Sequence, residues 1–244
     1  MTGPPPNHGA EFPSTRWTLI ARARGLGASE VDEALSWLCR EYWFPVYAYI
    51  RRRGHDPDQA QDATQEFFTR LLEKRFLGSV DPSKGKFRAF LLSCCKHFLA
   101  NERDRRQATK RGGGRASVSI DSHDAERRYF LEPVESQTPE SLFDRRWALT
   151  LLDNVIAQLG REYHAKGKGE LFELLKASLA GELEAPTYTR IGEALGLRED
   201  AVKKAAQRLR ARYREVLRER IADTVSSPTE VDEELRFLRD ALRS

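Results

Sequence analysis

The sequence is poor in cysteine and has no long apolar run. Its three cysteines among 244 residues are an odd number, and two of them are adjacent, which excludes the disulfide framework of a small secreted domain. No segment approaches the roughly 18 consecutive apolar residues of a membrane span, and the first residues lack the apolar core of a signal peptide. We therefore expect a soluble protein of the reducing cytoplasm that has no membrane partner.

Signatures of catalysis and metal binding are absent as well. The five histidines and the many carboxylates form no His-Glu-x-x-His, no P-loop and no nucleophile beside a base, which argues against an enzyme. Cys94, Cys95 and His97 are close in sequence, but neighbouring cysteines on a helix point in different directions and no C-x-x-C pair completes a tetrahedral site. We expect no metal and no other cofactor.

The charges are nearly balanced overall but unevenly distributed. The net charge is +4, from 41 basic and 37 acidic residues. Residues 86–115 hold nine Lys or Arg against two acids, and residues 198–220 hold nine against four. Two basic segments indicate two contacts with a polyanion, since Lys and Arg gain affinity by releasing counterions from phosphates. Two solvated helix faces would give the same pattern.

Helical periods dominate the chain and no strand-like alternation persists, so we predict an all-α fold of two small helical domains joined by a flexible linker. The linker contains three consecutive glycines and two prolines, and its middle is acidic, at Asp121, Asp124, Glu126, Glu132 and Glu135. The predicted divisions are a disordered N-terminus at 1–14, a helical domain at 15–106, the linker at 107–141, a helix-turn-helix domain at 142–225 and a helical tail at 226–244.

Three helices are predicted in the first domain. The first spans residues 30–53, and the second starts with Asp56 as N-cap and Pro57 at its first position and extends to about Lys74. One face of this second helix is polar and regularly spaced, with Asp62, Gln65, Glu66 and Thr69. The third helix becomes basic towards its end, and its apolar positions are Phe87, Phe90, Leu91, Cys94 and Phe98.

Residues 187–203 have the pattern of a helix-turn-helix. Gly192 is small where two helices would approach each other, and Gly196 tolerates the positive φ of the turn. The apolar positions expected to pack the second helix are Ile191, Leu195, Leu197 and Val202. On that helix one face points away from Val202 and Leu209 and suits a DNA major groove; its members are Lys203, Lys204, Gln207 and Arg208. A plain helical hairpin is the alternative.

From about residue 30 to 225 the chain resembles the two-domain, extracytoplasmic-function class of bacterial sigma factors. Asp62-Ala63-Thr64-Gln65-Glu66-Phe67-Phe68 is similar to the D-x-x-Q-E-x-F helix of that family, which binds the clamp of the largest polymerase subunit. The resemblance implies a non-enzymatic factor that binds core RNA polymerase and promoter DNA and promotes strand opening. It implies polymerase contacts by Asp62, Gln65, Glu66 and Thr69, and contact of the second domain with the polymerase flap.

The segment Phe87-Arg88-Ala89-Phe90-Leu91-Leu92, followed by a basic helix, resembles the family segment that melts and recognises the minus-ten element. The resemblance implies DNA contacts by Lys96, His97, Asn101 and Arg105, with His97 in place of the commoner Asn and Phe90 in place of a usual Trp. The acidic linker corresponds to a segment that threads towards the polymerase active centre. An anti-sigma protein or a regulatory kinase is a further candidate partner.

Two other classes of protein compete with this interpretation. An ordinary helix-turn-helix regulator that is not a polymerase subunit would explain residues 187–213, but not the polar face at Asp62 or the basic helix after Arg88. Polymerase binding without any operator distinguishes it from a sigma factor. A nuclease or another nucleic-acid-modifying enzyme is the second alternative, and the absence of a catalytic motif argues against it.

Overall fold

A computed structural model describes the chain over residues 28–72, 86–108, 125–126, 129, 138–180, 186–225 and 227–243. Every regular element in these ranges is an α-helix, which confirms the all-α prediction. The segment Thr15-Arg16-Trp17, the predicted end of a helix at Lys74 and most of the predicted linker lie outside the described residues.

Three helices form the first part of the described chain. Helix α1 is Ala28–Arg52, α2 is Pro57–Leu72 and α3 is Phe87–Ala108. The start of α2 is as predicted, because the Asp56 side chain accepts a hydrogen bond from the Gln59 N–H at 2.8 Å. Gly54, with φ of 95°, makes the turn between α1 and α2.

Five helices follow in the second part. Helix α4 is Pro139–Ala165, α5 is Gly169–Ala180, α6 is Tyr188–Leu195, α7 is Glu199–Ala222 and α8 is Pro228–Arg243. Threonine hydroxyls cap α4 and α6, where Thr138 accepts from the Ser141 N–H and Thr187 from the Arg190 N–H.

A large aromatic cluster holds α1, α2 and α3 together. The rings of Trp37, Tyr42 and Phe87 lie 5.0–5.9 Å from one another between centroids. Phe67 of α2 and Phe98 of α3 meet at 5.7 Å. Aromatic side chains bury much apolar area each, so this cluster fixes which faces of α2 and α3 remain outside.

The same cluster continues into the second part of the chain. Phe143, Trp147 and Leu151 of α4 belong to it, and so do Val231 and Leu238 of α8. Helix α4 makes its most extensive contacts with α1. The predicted domain boundaries stay a prediction, because packing in one arrangement does not decide whether the two parts fold separately.

A second cluster lies under the helix-turn-helix. It joins α4 and α5 to α6 and α7 and is aliphatic apart from Phe172 and partly buried tyrosines. Its fully buried members include Val155, Leu159, Leu175, Val202 and Leu209. The pair of helices α6 and α7 is therefore supported by a core of its own.

The middle of the predicted linker is described at Ala125, Glu126 and Tyr129, and these residues pack against the core and the end of α1. Ala125 and Tyr129 are buried, and Glu126 Oε1 lies 2.6 Å from Arg51 Nε. Burial opposes ionisation of Glu126, but the hydrogen bonds from Arg51 and Tyr47 outweigh it, so the pKa of this carboxyl is lowered. The acidic middle of the linker contacts the end of α1 through this residue.

Candidate functional site

The polar face predicted on α2 lies on the surface. Asp62, Glu66 and Thr69 are exposed and Gln65 is half-buried. The opposite face of α2 is fixed by buried Phe67 and by other apolar side chains, which turns these four residues outward. A basic partner surface can contact the carboxylate oxygens of Asp62 and Glu66 and the amide oxygen of Gln65 on this face.

Arg70 links this face to α3. Its guanidinium pairs with Glu66, one turn earlier on α2, and its Nη1 lies 2.8 Å from Oε1 of Glu102 on α3. The guanidinium also lies over the Phe98 ring, 5.2 Å from its centroid. Sequence reasoning did not single out Arg70, although its spacing of four from Glu66 is the signal of a helical ion pair.

Helix α3 presents its predicted DNA-contacting residues to solvent. Lys96, His97 and Asn101 are exposed, while Cys94, Cys95, Phe98 and Leu99 face inward. His97 and Asn101 are one helical turn apart, so their side chains lie on one exposed face. The side chain of Arg105 falls outside the described residues, although the helix continues to Ala108.

Lys96 contacts the second part of the chain. Its Nζ lies 2.9 Å from Oε1 of Glu140 in the first turn of α4. The hydrogen bond from Lys96 lowers the pKa of the Glu140 carboxyl, against a smaller opposing effect of burial. A DNA phosphate that binds Lys96 has to compete with this carboxylate.

The geometry of α6 and α7 explains why glycine occurs at two positions. A Cβ atom on Gly192 would lie 2.6 Å from the Leu197 carbonyl oxygen, so the turn passes against this residue. Gly196 ends α6 with φ of 64°, in the left-handed region. The Leu197 N–H donates to the Gly192 carbonyl at 2.8 Å, which closes the turn.

The packing of the apolar positions differs from the prediction at one residue. Ile191 and Val202 are buried and Leu195 is partly buried, but 41% of Leu197 is exposed. Leu197 lies in the turn between α6 and α7, where its backbone rather than its side chain makes the contact with Gly192. The prediction that Leu197 pins the second helix is wrong for this reason.

The outward face of α7 carries the four residues expected to contact duplex DNA. Lys203, Lys204, Gln207 and Arg208 are all exposed. They alternate with buried Val202, Ala205, Ala206 and Leu209, which face the second cluster. Lys203 Nζ lies 2.6 Å from Oε1 of Glu199, and the Thr189 hydroxyl donates to the same carboxyl group at 2.9 Å. The four residues form a basic face without a large apolar side chain.

The cysteines do not provide a reactive site. Cys94 and Cys95 are buried, and burial raises the pKa of the Cys94 thiol to about 11. Across the described ranges, no three His, Cys, Asp or Glu side chains converge as metal ligands. None of the described helices combines the length and the hydropathy that crossing a bilayer requires.

Comparison with known proteins gives one family match. Residues 38–109, from within α1 to just beyond α3, match the family model of sigma-70 region 2. The match supports a sigma-70 family factor, and it covers both the polar face of α2 and the exposed face of α3. Neither the curated proteins nor the solved structures contain a significant match to the chain.

Proposed function

We propose that the chain is a sigma factor of the extracytoplasmic-function type, which binds core RNA polymerase, recognises a promoter and opens it. The observation that carries this proposal is the match of residues 38–109 to sigma-70 region 2. Sigma-70 region 2 suggests polymerase binding and promoter melting, and neither task requires a catalytic residue or a cofactor. The factor acts in the cytoplasm, where its polymerase is.

The exposed face of α2 binds the clamp of the largest polymerase subunit in this proposal. Asp62 and Glu66 provide charge, while Gln65 and Thr69 provide neutral polar contacts beside them. Arg70 holds Glu66 in place from within the same helix, so that the carboxylate is positioned before the partner arrives. Removal of one partner from a charge-assisted pair at such an interface costs about 2–5 kcal/mol of binding free energy.

The exposed face of α3 captures the opened DNA strand. His97 and Asn101 have planar polar side chains that can stack on unpaired bases or bond to their edges, and Lys96 and Arg105 supply positive charge for the backbone. Buried Phe98 and Leu99 fix the orientation of this face relative to α2. Polymerase contact and strand capture therefore lie on neighbouring helices of one core.

The pair α6 and α7 recognises duplex DNA upstream while the second part of the chain contacts the polymerase flap. Gln207 is the residue best suited to a base edge, because it has no charge to attract it to phosphate. Lys203, Lys204 and Arg208 suit phosphates or guanine. An anti-sigma protein or a kinase is the proposed kind of regulator.

A helix-turn-helix regulator outside the polymerase remains the second candidate function. The exposed basic face of α7 supports it as well as it supports a sigma factor. It leaves the match at residues 38–109 and the polar face of α2 without a role. Dependence on polymerase decides between the two functions.

The experiment adds the purified chain to core polymerase and genomic DNA and sequences the transcripts. Specific starts appear with the wild type. The charge reversal Asp62→Lys with Glu66→Lys abolishes core binding and transcription, with the melting temperature nearly unchanged because both side chains are exposed. Core binding is measured by native mass spectrometry.

A matched control carries the same change of charge elsewhere. Glu170→Lys with Glu173→Lys alters two exposed residues of α5, outside the faces proposed to bind the clamp and DNA, and we expect core binding close to that of the wild type. If the α2 variant binds core polymerase as tightly as this control, the assignment of the α2 face is wrong. Absence of specific starts with the wild type contradicts the proposed function itself.

A further inference from the structure

The start of α3 is covered by the C-terminal helix. Arg88 Nε lies 2.6 Å from Oε1 of Glu234, and Lys86 Nζ lies 3.1 Å from Oε2 of the same carboxylate. The backbone supports this contact, since the Phe87 N–H donates to the Thr224 carbonyl at 3.2 Å. Residues far apart in sequence are therefore brought together at the segment proposed to melt DNA.

The guanidinium of Arg88 donates hydrogen bonds to carboxylates along two of its edges. Its Nη1 lies 3.0 Å from Oδ1 of Asp144 in α4, and its Nη2 lies 3.5 Å from Oε2 of Glu234. Glu233 is a third acidic residue at this place, but it contacts the lysine: its Oε2 lies 3.5 Å from Lys86 Nζ. The oxygens of a phosphate fit the same fork of guanidinium N–H groups, so a carboxylate in this position excludes a phosphate.

Aromatic rings complete the enclosure of Arg88. The centroid of the Phe237 ring of α8 lies 3.4 Å from the guanidinium carbon of Arg88, and the centroid of the Trp147 ring of α4 lies 5.4 Å from the same carbon. As a result only 11% of the Arg88 side chain and 1% of the Glu234 side chain are exposed. A phosphate in solution cannot reach the guanidinium fork until α8 moves.

Helix α8 is attached by one apolar face and by its charged contacts with the start of α3. Its buried apolar residues are Val231, Leu238 and Ala241, and the residues partly buried against the same cluster are Leu235, Phe237 and Leu242. A ligand that displaces α8 has to compete with both the apolar and the charged contacts.

We propose that Lys86 and Arg88 form a binding site for the phosphates of promoter DNA, and that α8 occupies this site in the free chain. The carboxylates of Glu234 and Glu233 take the place of the phosphates, and α8 must leave before the start of α3 can contact DNA. This inference rests on the proposed function, since it assigns the segment that melts DNA.

The test measures binding of a fluorescein-labelled forked DNA of mixed sequence to the full chain without polymerase, by anisotropy over a range of salt. Glu234→Gln removes the charge that competes with phosphate and keeps the shape of the side chain. We expect affinity to rise on the order of five- to tenfold, with a steeper salt dependence by roughly one to two ions. Asp240→Asn removes one charge from the exposed side of α8 and changes affinity less than about twofold.

A second substitution shows whether the gain comes from Arg88. Arg88→Met alone has little effect on DNA affinity, because the guanidinium is already occupied, but it cancels most of the gain in the Glu234→Gln background. If Glu234→Gln leaves DNA affinity unchanged or lowers it, α8 is a structural brace and the inference is overturned. The same conclusion follows if Arg88→Met does not reduce the gain.

Hydrogen exchange on the wild-type chain gives a measurement that does not depend on the folding of any variant. Binding of the forked DNA increases exchange at the amides of α8, and unchanged or slower exchange there contradicts the inference. Specific transcription by the wild type together with no effect at Glu234 removes this inference and leaves the proposed function intact. If the wild type gives no specific transcription but Glu234→Gln raises DNA affinity, the sigma-factor assignment is wrong, whereas the competition between α8 and phosphate stands.

Discussion

At the scale of single residues, the turn of the helix-turn-helix depends on an absent side chain. The position of a Cβ on Gly192 is 2.6 Å from the Leu197 carbonyl oxygen, which is backbone and cannot rotate away. The recognition face on α7 begins at Lys203, six residues after Leu197. Its orientation relative to α6 therefore depends on Gly192.

We predict that Gly192→Ala destabilises the chain by about 1–3 kcal/mol, because the added methyl forces the turn apart. Binding to duplex DNA should fall further than stability alone explains, since the face on α7 is displaced. Thermal melting and anisotropy with duplex DNA measure the two effects.

The matched control is Gly167→Ala, in the turn between α4 and α5. Gly167 has φ of 67° and no atom within 4 Å of the added Cβ, so the cost is backbone strain without a clash. It lies outside the helix pair α6 and α7, and DNA affinity at a temperature where both variants are folded should equal that of the wild type. Equal DNA affinity of the two variants would contradict the role given to Gly192.

At the scale of elements, α4 and α7 are joined by polar contacts at the edge of the second cluster. Arg212 Nη2 lies 2.9 Å from Oε1 of Glu162, and Arg220 pairs with Glu41 of α1 and with Gln158. The hydrogen bond from Arg212 lowers the pKa of the Glu162 carboxyl below its ordinary value of 4.5, against a smaller effect of burial. Long, charged side chains thus determine how α7 lies across α4.

The lowered pKa has a consequence for stability at acidic pH. A carboxyl whose pKa is lower in the folded state stabilises the fold above its unfolded value and loses that contribution as pH falls through the folded value. We expect Glu162→Gln to lower the melting temperature by roughly 2–4 °C at pH 7, and the difference from wild type to shrink progressively as pH falls below 4.5, the ordinary pKa of the carboxyl.

The control for this series is Glu173→Gln, which removes the exposed pair with Lys176 on the surface of α5. Exposed pairs contribute little, so its melting temperature should follow that of the wild type at every pH. A difference in melting temperature between Glu162→Gln and wild type that stays constant as pH is lowered from 7 to well below 4.5 would show that the Arg212 pair is not its cause.

In the whole molecule, the main core contains residues from both sides of the predicted linker. Phe143 and Trp147 of α4 lie in one cluster with Leu38 and Tyr42 of α1, although residues 107–141 separate the two parts in sequence. Tyr129, from within that stretch, packs with Ala48 and Leu142. The main core of the free chain thus extends over helices that the sequence divides.

We predict that dilute trypsin cuts the free chain first between residues 107 and 141, and that the two fragments remain associated. Denaturing gels should show two fragments, whereas gel filtration should show one particle of the original size, because α4 stays packed on α1. Separation of the fragments under native conditions would mean that the shared cluster is too weak to hold them.

The local features of this protein follow from its sequence because they depend on neighbours along the chain. Helical periods place Phe87, Phe98 and Val202 inside and leave Lys96 and Gln207 outside, and the cap at Asp56 needs only the next few residues. The faces proposed to bind polymerase and DNA belong to this class. The exposure of Leu197 could not be predicted in this way. A helical period applies only within a helix, and Leu197 lies in a turn.

Which helices share a core and which charges meet depends on packing between distant parts of the chain. Periodicity shows that a face is buried, but not what covers it, and the pair of Arg88 with Glu234 spans too many residues to leave any local signature. The same holds for Lys96 with Glu140 and for the packing of α4 on α1. The buried Arg88 requires carboxylate partners, and its neighbours in sequence supply none. The acidic C-terminal helix supplies one of them, Glu234, and therefore lies on the start of α3.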